Sequence, residues 1–226
     1  MEELVFYKQK RIKGDIARLK EIDDDDRNLF NLFCAILEVD SKYVDSDIAH
    51  KRLERVFAYE LYHQWSKKVV RNKKGNNESY ILNGETMKMM GYFKVNPQKE
   101  KAYPDLILHK SFDHPKCQAI VCEIKRRGNL TKGGFEDDIT KLKEFVCELQ
   151  NDYTFNYGIF ILTGDKMKSI LEMMDSLRWT ARRRKNKTKN ILLVAYDGHH
   201  IQVVSLYDAL NKEEREKYIN NHNNEE

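Results

Sequence analysis

QAIVCEIKR, residues 118–126, is the stretch whose reading decides the fold. Ala119, Ile120, Val121 and Cys122 make an apolar run rich in β-formers, which reads as a strand. Residues two apart on a strand share a face, so Glu123 and Lys125 project together while Cys122 and Ile124 point the other way. The strand is otherwise apolar, so it is expected at or near the middle of a sheet. A charge there is costly unless it is paired or binds a metal.

Upstream, YPDLILH (103–109) is a second short apolar strand, and SFDHPK (111–116) reads as a loop, so the two segments form a hairpin. With the loop centred near His114, Asp105 falls opposite Glu123. Such cross-strand neighbours lie about 5 Å apart at Cβ. Two carboxylates that close repel, and one protonates unless a cation lies between them. A hard divalent ion resolves the conflict. Mg²⁺ commonly uses one or two carboxylates together with waters and substrate phosphate.

Helices and strands alternate around this hairpin. Asp23 to Asp26 suit the N-terminus of an amphipathic helix over 27–38. Residues 47–70 read as a longer helix, with Asp47 as N-cap and Leu53, Val56, Phe57 and Leu61 as its buried stripe. Tyr80 to Val95 is ambiguous, with room for a short strand. Residues 135–150 carry Ile139, Leu142, Val146 and Leu149 on one helical face, NYGIFIL (156–162) is a buried strand, and 165–184 reads as another helix. NILLVAY (190–196) and HIQVVSL (200–206) flank the turn signal Asp197-Gly198, and a last helix covers 207–219. His199 and His200 point to opposite faces and read as hairpin residues rather than a metal pair. The order implies an α/β fold with a central mixed sheet covered on both faces. The expected divisions are an N-terminal helical extension (1–46), a main domain (47–219) and a disordered tail (220–226).

With 226 residues, one decorated domain is the default. No apolar run approaches the roughly 20 residues of a spanning helix, and the N-terminus has no apolar signal core. The four cysteines include no C-x-x-C pair, which disfavours a cysteine zinc site and fits reduced thiols in the cytoplasm. A net charge of +4 permits nucleic-acid binding without arguing for it.

Pro104-Asp105, a spacer of 17 residues and Glu123-Ile124-Lys125 together resemble the PD-(D/E)XK signature of the restriction endonuclease-like nucleases, matching every fixed position. The resemblance spans roughly residues 47–205, and the family's core order of helix, motif-bearing hairpin, helix and further strands is similar. AYELYHQW (58–65) also resembles the first core helix of some members. The resemblance implies a three-layer α/β/α fold and metal-dependent hydrolysis of phosphodiesters in DNA. It implies that Asp105, Glu123 and the backbone carbonyl of Ile124 bind Mg²⁺, with Mn²⁺ able to substitute. Lys125 would then orient or deprotonate the attacking water and offset transition-state charge.

Many members add a glutamate from the preceding helix, where this chain offers Glu54 and Glu60. On the expected stripe Glu60 falls between Val56 and Leu53, with Gln64 beside it and Glu54 at the edge, so Glu60 is the expected fourth residue. Asp138 and Lys141, three apart on the next helix, suit the same region, although a solvated ion pair is the plainer reading.

Arg126 and Arg127 adjoin the motif and are expected to contact the substrate backbone, with Lys132 and Lys141 nearby. Arg182, Arg183 and Arg184 belong to the densest basic cluster. Such clusters neutralise phosphates, though a basic run is more often a solvated helix end. The expected activity is that of a DNA endonuclease, with a place in restriction, defence or a mobile element following from analogy alone. Two rivals stand beside it: a non-catalytic nucleic-acid-binding module that keeps the fold, and a nuclease of RNA or branched substrates. The N-terminal segment is open to dimerisation, so a homodimer is among the expected states.

Overall fold

The computed structural model describes residues 4–7, 24–44, 53–69, 80–84, 104–110, 118–148, 155–177 and 187–222. Seven strands form one mixed sheet: β1 (Leu4–Tyr7), β2 (Ile81–Asn83), β3 (Leu106–His109), β4 (Gln118–Arg126), β5 (Phe155–Thr163), β6 (Ile191–Tyr196) and β7 (His200–Ser205). Their order across the sheet is β1-β7-β6-β5-β4-β3-β2. The central trio β4, β5 and β6 is parallel, and every other neighbour is antiparallel. Parallel neighbours need a crossover, supplied between β4 and β5 by α3 (Lys132–Lys143), which runs on as a wider turn over Glu144–Glu148. α4 (Met167–Met173) serves β5 and β6.

Both faces of the sheet are covered. Leu106, Leu108, Ile120, Cys122 and Ile124 share one core cluster with α1 (Asp24–Glu38) and α2 (Leu53–Ser66). Ile107, Val121, Phe160 and Leu162 share the other with α3, α4 and α5 (Leu206–Ala209). The alternation along β3 and β4 therefore sorts side chains between two layers. Among the described residues, no helix is long and apolar enough to cross a membrane.

The described parts of the N-terminal region contribute to the sheet and to its core. β1 pairs with β7 at one edge of the sheet, and Leu32, Ala35 and Ile36 of α1 are fully buried in the first cluster. The Tyr196 hydroxyl donates toward the Val39 and Gly198 carbonyls, at 3.0 and 2.9 Å, and so ties the end of α1 to the β6–β7 turn. That turn follows expectation: Gly198 adopts φ 100°, and Asp197 accepts from the backbone N–H of both His199 and His200.

Other expectations shift. The helix read over 165–184 is α4 followed by a short turn, Met174–Ser176, and 178–186 lie outside the described residues. Arg182, Arg183, Arg184 and Asp47 fall outside them too, as does the loop around His114. The last helix is two, α5 and α6 (Lys212–His222); Ser205 caps the start of α5 by accepting from the N–H of Asp208. α6 runs three residues into the segment expected to be a disordered tail, and 223–226 are outside the described residues.

Candidate metal centre

β3 and β4 pair with Leu106 across from Cys122 and Ile107 across from Val121. One residue beyond Leu106 the ladder has ended, and Asp105 reaches β4 on either side of Glu123, through Cys122 and Ile124. β3 ends at Leu106, so β4 loses its antiparallel neighbour there. The N–H of Ile124 consequently has no ladder partner, and the Asp105 carboxylate accepts it at 2.7 Å. The Asp105 N–H in turn donates to the Cys122 carbonyl at 3.0 Å. The N–H and C=O of one strand residue point the same way, so the Ile124 carbonyl also faces the open end of β3.

Glu123 and Lys125 share the sheet face covered by α3. After β4 the chain turns at Gly128, φ 86°, a conformation that suits glycine. It then enters α3 through Thr131, whose hydroxyl accepts from the N–H of Gly134 at 3.1 Å. This path brings Asp138 and Lys141 back over β4. The Asp138 carboxylate is buried between two ammoniums: Oδ1 lies 2.9 Å from Lys141 Nζ, and Oδ2 lies 3.2 Å from Lys125 Nζ. Lys141 also stands 3.6 Å from Glu123 Oε2. The i, i+3 pair expected on this helix is present, but Asp138 is buried and Lys141 only partly exposed, and the pair reaches both charged residues of the strand.

From the other layer, Glu54 of α2 approaches Lys125 at 3.9 Å. Glu60, the residue expected there, does not join the site; it accepts from Gln64 Nε2 at 2.5 Å along its own helix. The phase of the helix explains the difference. The buried stripe of α2 is Phe57, Leu61 and Trp65, while Val56, expected on it, is 36% exposed. At about 100° per residue Glu54 lies about 20° from that stripe's centre, and Glu60 about 100° away. Trp65, at i+8 from Phe57, is the residue of the sequence that fits this phase.

Electrostatics mark this cluster as unusual. Asp105 is raised from 3.8 to about 6, first by burial and then by Glu54 and Asp138, against the Ile124 N–H and Lys125. Glu123 is only 2% exposed, and its carboxyl is raised well above the ordinary value by burial and then by Asp105 and Asp138. Burial pushes Lys125 and Lys141 down, yet surrounding carboxylates, Asp138 for the first and Glu123 for the second, carry both above the usual ammonium value. Among the described residues, four carboxylates meet two ammoniums, a formal surplus of two negative charges, and Glu123 Oε1 is buried with no hydrogen-bond partner.

A divalent cation fits this donor set. It would match the surplus charge and give the orphaned Glu123 oxygen a partner, with Asp105, Glu123 and the Ile124 carbonyl as ligands. Among the described residues no three His, Cys, Asp or Glu side chains close around a point, so waters or substrate oxygens would complete the shell. That is the habit of Mg²⁺ rather than of a structural ion caged by protein.

Of the expected phosphate contacts, Arg127 and Lys132 are exposed beside the site and Arg126 is half-buried at the end of β4. Lys141 belongs to the charged cluster itself. Lys68, in another basic run, is engaged with Glu38 of α1 at 2.7 Å. The chain finds no match among protein-family models, curated proteins or solved structures.

Proposed function

We propose that this chain is a metal-dependent nuclease of the PD-(D/E)XK type, an endonuclease that hydrolyses phosphodiester bonds in DNA. The observation that carries the reading is the hairpin end that brings the Asp105 carboxylate onto the Ile124 N–H beside the buried Glu123, with Lys125 on the Glu123 face. It supports a catalytic site because it gathers buried carboxylates that a divalent cation would hold in their charged form, next to an ammonium. A three-layer arrangement with the motif on a central hairpin accords with a restriction endonuclease-like fold.

The ion's chemistry, when bound, is Lewis acidity at the phosphate and at the water that attacks it. The protein supplies the rest. Asp105 and Glu123 hold the position, and the Ile124 N–H fixes the Asp105 carboxylate in orientation. Lys125, kept protonated by Asp138 and Glu54, offers its charge to the pentacovalent phosphate and a donor to the water. Arg127 and Lys132 lie where a strand entering the site would pass and neutralise its neighbouring phosphates.

The direct test is incubation of supercoiled plasmid and of single-stranded DNA with Mg²⁺, Mn²⁺ or EDTA. Cleavage that needs the ion supports the reading. Intact DNA under all conditions, with binding retained, would leave a nucleic-acid-binding module instead. Competition by RNA of equal length decides between DNA and RNA as substrate.

A further inference from the structure

A cleft of about 270 Å³ opens beside Asp105, between α2 and the β2–β3 edge of the sheet. Asp105, Leu106, Tyr59, Tyr62, Arg55 and Gly84 line it. Its size lies just below the about 300–1,000 Å³ typical of pockets for drug-sized ligands, which suits one flat ring system. Tyr59 is 62% exposed, an unusual state for an aromatic ring beside a carboxylate site. The Tyr62 hydroxyl donates to the Leu82 carbonyl at 3.3 Å, which anchors the second ring against β2. At Gly84 an added Cβ would lie 3.7 Å from Leu106 and 3.9 Å from Tyr62, so glycine keeps open a space that a side chain could fill without clashing.

We propose that this cleft receives an unstacked nucleobase of the strand whose phosphate is held at Asp105, and that the substrate is therefore single-stranded or locally unpaired DNA. The inference rests on the nuclease reading for its phosphate but on independent residues for its base. Asp105 both lines the cleft and belongs to the carboxylate cluster, so the two adjoin at that residue. The occupant must present a π-face to Tyr59 and carry negative charge toward Arg55 and the ion. A nucleotide does both. A base inside a duplex has its faces covered by neighbours and reaches such a cleft only after unstacking, whereas in a single strand it is already available.

The test separates this claim from the nuclease reading by measuring binding alone. In a Glu123→Gln background with Mg²⁺ present, fluorescence anisotropy is read on a labelled single strand, the matching duplex and a single strand carrying abasic sites. The single strand is expected to bind more tightly than either. Tyr59→Ala is expected to weaken it by at least about five-fold, with Tyr59→Trp restoring it, and to leave the abasic strand unchanged. Gly84→Leu, which fills the cleft, is expected to act like Tyr59→Ala. Equal affinity for the base-bearing and abasic strands, or for single strand and duplex, would overturn the proposal even if the enzyme cleaves. The expected pattern in a protein that never cleaves would keep the cleft and reject the nuclease.

Discussion

Lys125 on β4 stands 3.2 Å from the Asp138 carboxylate on α3, and this contact joins the motif strand to the helix behind it. Asp138 is buried, so the interaction is poorly screened. Its Oδ2 makes no aligned hydrogen bond, which leaves charge rather than directionality as the basis of the pairing.

Asp138 is therefore expected to act as a positioning residue for Lys125. Asp138→Asn should lower cleavage by about ten-fold or more, as misplacing a reacting group commonly does. Burial would then act on Lys125 with its main opposing charge gone, so the lysine would lose its proton at lower pH. The alkaline limb of the pH–rate profile should move to lower pH, with Mg²⁺ affinity retained in titration calorimetry. An unchanged limb would reduce Asp138 to a packing role.

Glu54 and Glu60 should separate cleanly. Glu54→Gln removes a carboxylate facing Lys125 and is expected to cost about ten-fold in rate. Glu60→Gln leaves only a contact with Gln64 altered and should stay within about two-fold of wild type. Equal losses in initial-rate assays would return Glu60 to the site.

The carboxylates also set a pH dependence of stability. Asp105 is held at about 6 in the folded chain against 3.8 in the unfolded one, so between those values the folded state binds more protons. Stability of the ion-free protein accordingly falls as pH rises through that window, and Glu123, raised as well, extends the fall upward. A bound divalent ion offsets the loss. Thermal unfolding in EDTA and in Mg²⁺ should show a larger stabilisation by Mg²⁺ at about pH 7 than at about pH 4.5, lost in Asp105→Asn/Glu123→Gln. An equal shift at both pH values would contradict this.

Packing behind the site is tight at Gly158 on β5. A Cβ there would meet Val146 Cγ2 at 2.9 Å, inside the range that real contacts occupy. Gly158→Ala is expected to destabilise the fold by about 1–3 kcal/mol in denaturant unfolding. No loss would mean that the end of α3 sits further from the sheet.

Much of this architecture is legible in the sequence where periodicity is strong. β4 spans the expected residues 118–126, and its pairing with β3 leaves Asp105 next to the ladder's end, with its carboxylate on Ile124. β1 could not be read, because four residues in a basic stretch have too few alternations to show a period, and partner β7 lies almost the whole chain away. The charged cluster was only partly visible. Asp138 and Lys141 were recognisable as neighbours on a helix, but their burial depends on how α3 docks on β4, which no local pattern encodes. A stripe phased on Leu53, Val56, Phe57 and Leu61 puts Glu54 at its edge, whereas the buried residues Phe57, Leu61 and Trp65 place Glu54 close to its centre.

The measurement that bears most directly on the central claim is single-turnover cleavage of a labelled single-stranded DNA by wild type and Asp105→Ala, each with Mg²⁺ and with EDTA. Cleavage by wild type that requires the ion and disappears in the variant, with circular dichroism unchanged, is the expected result. Equal cleavage by the variant, or cleavage by wild type in EDTA, would contradict a metal centre built on Asp105 and Glu123.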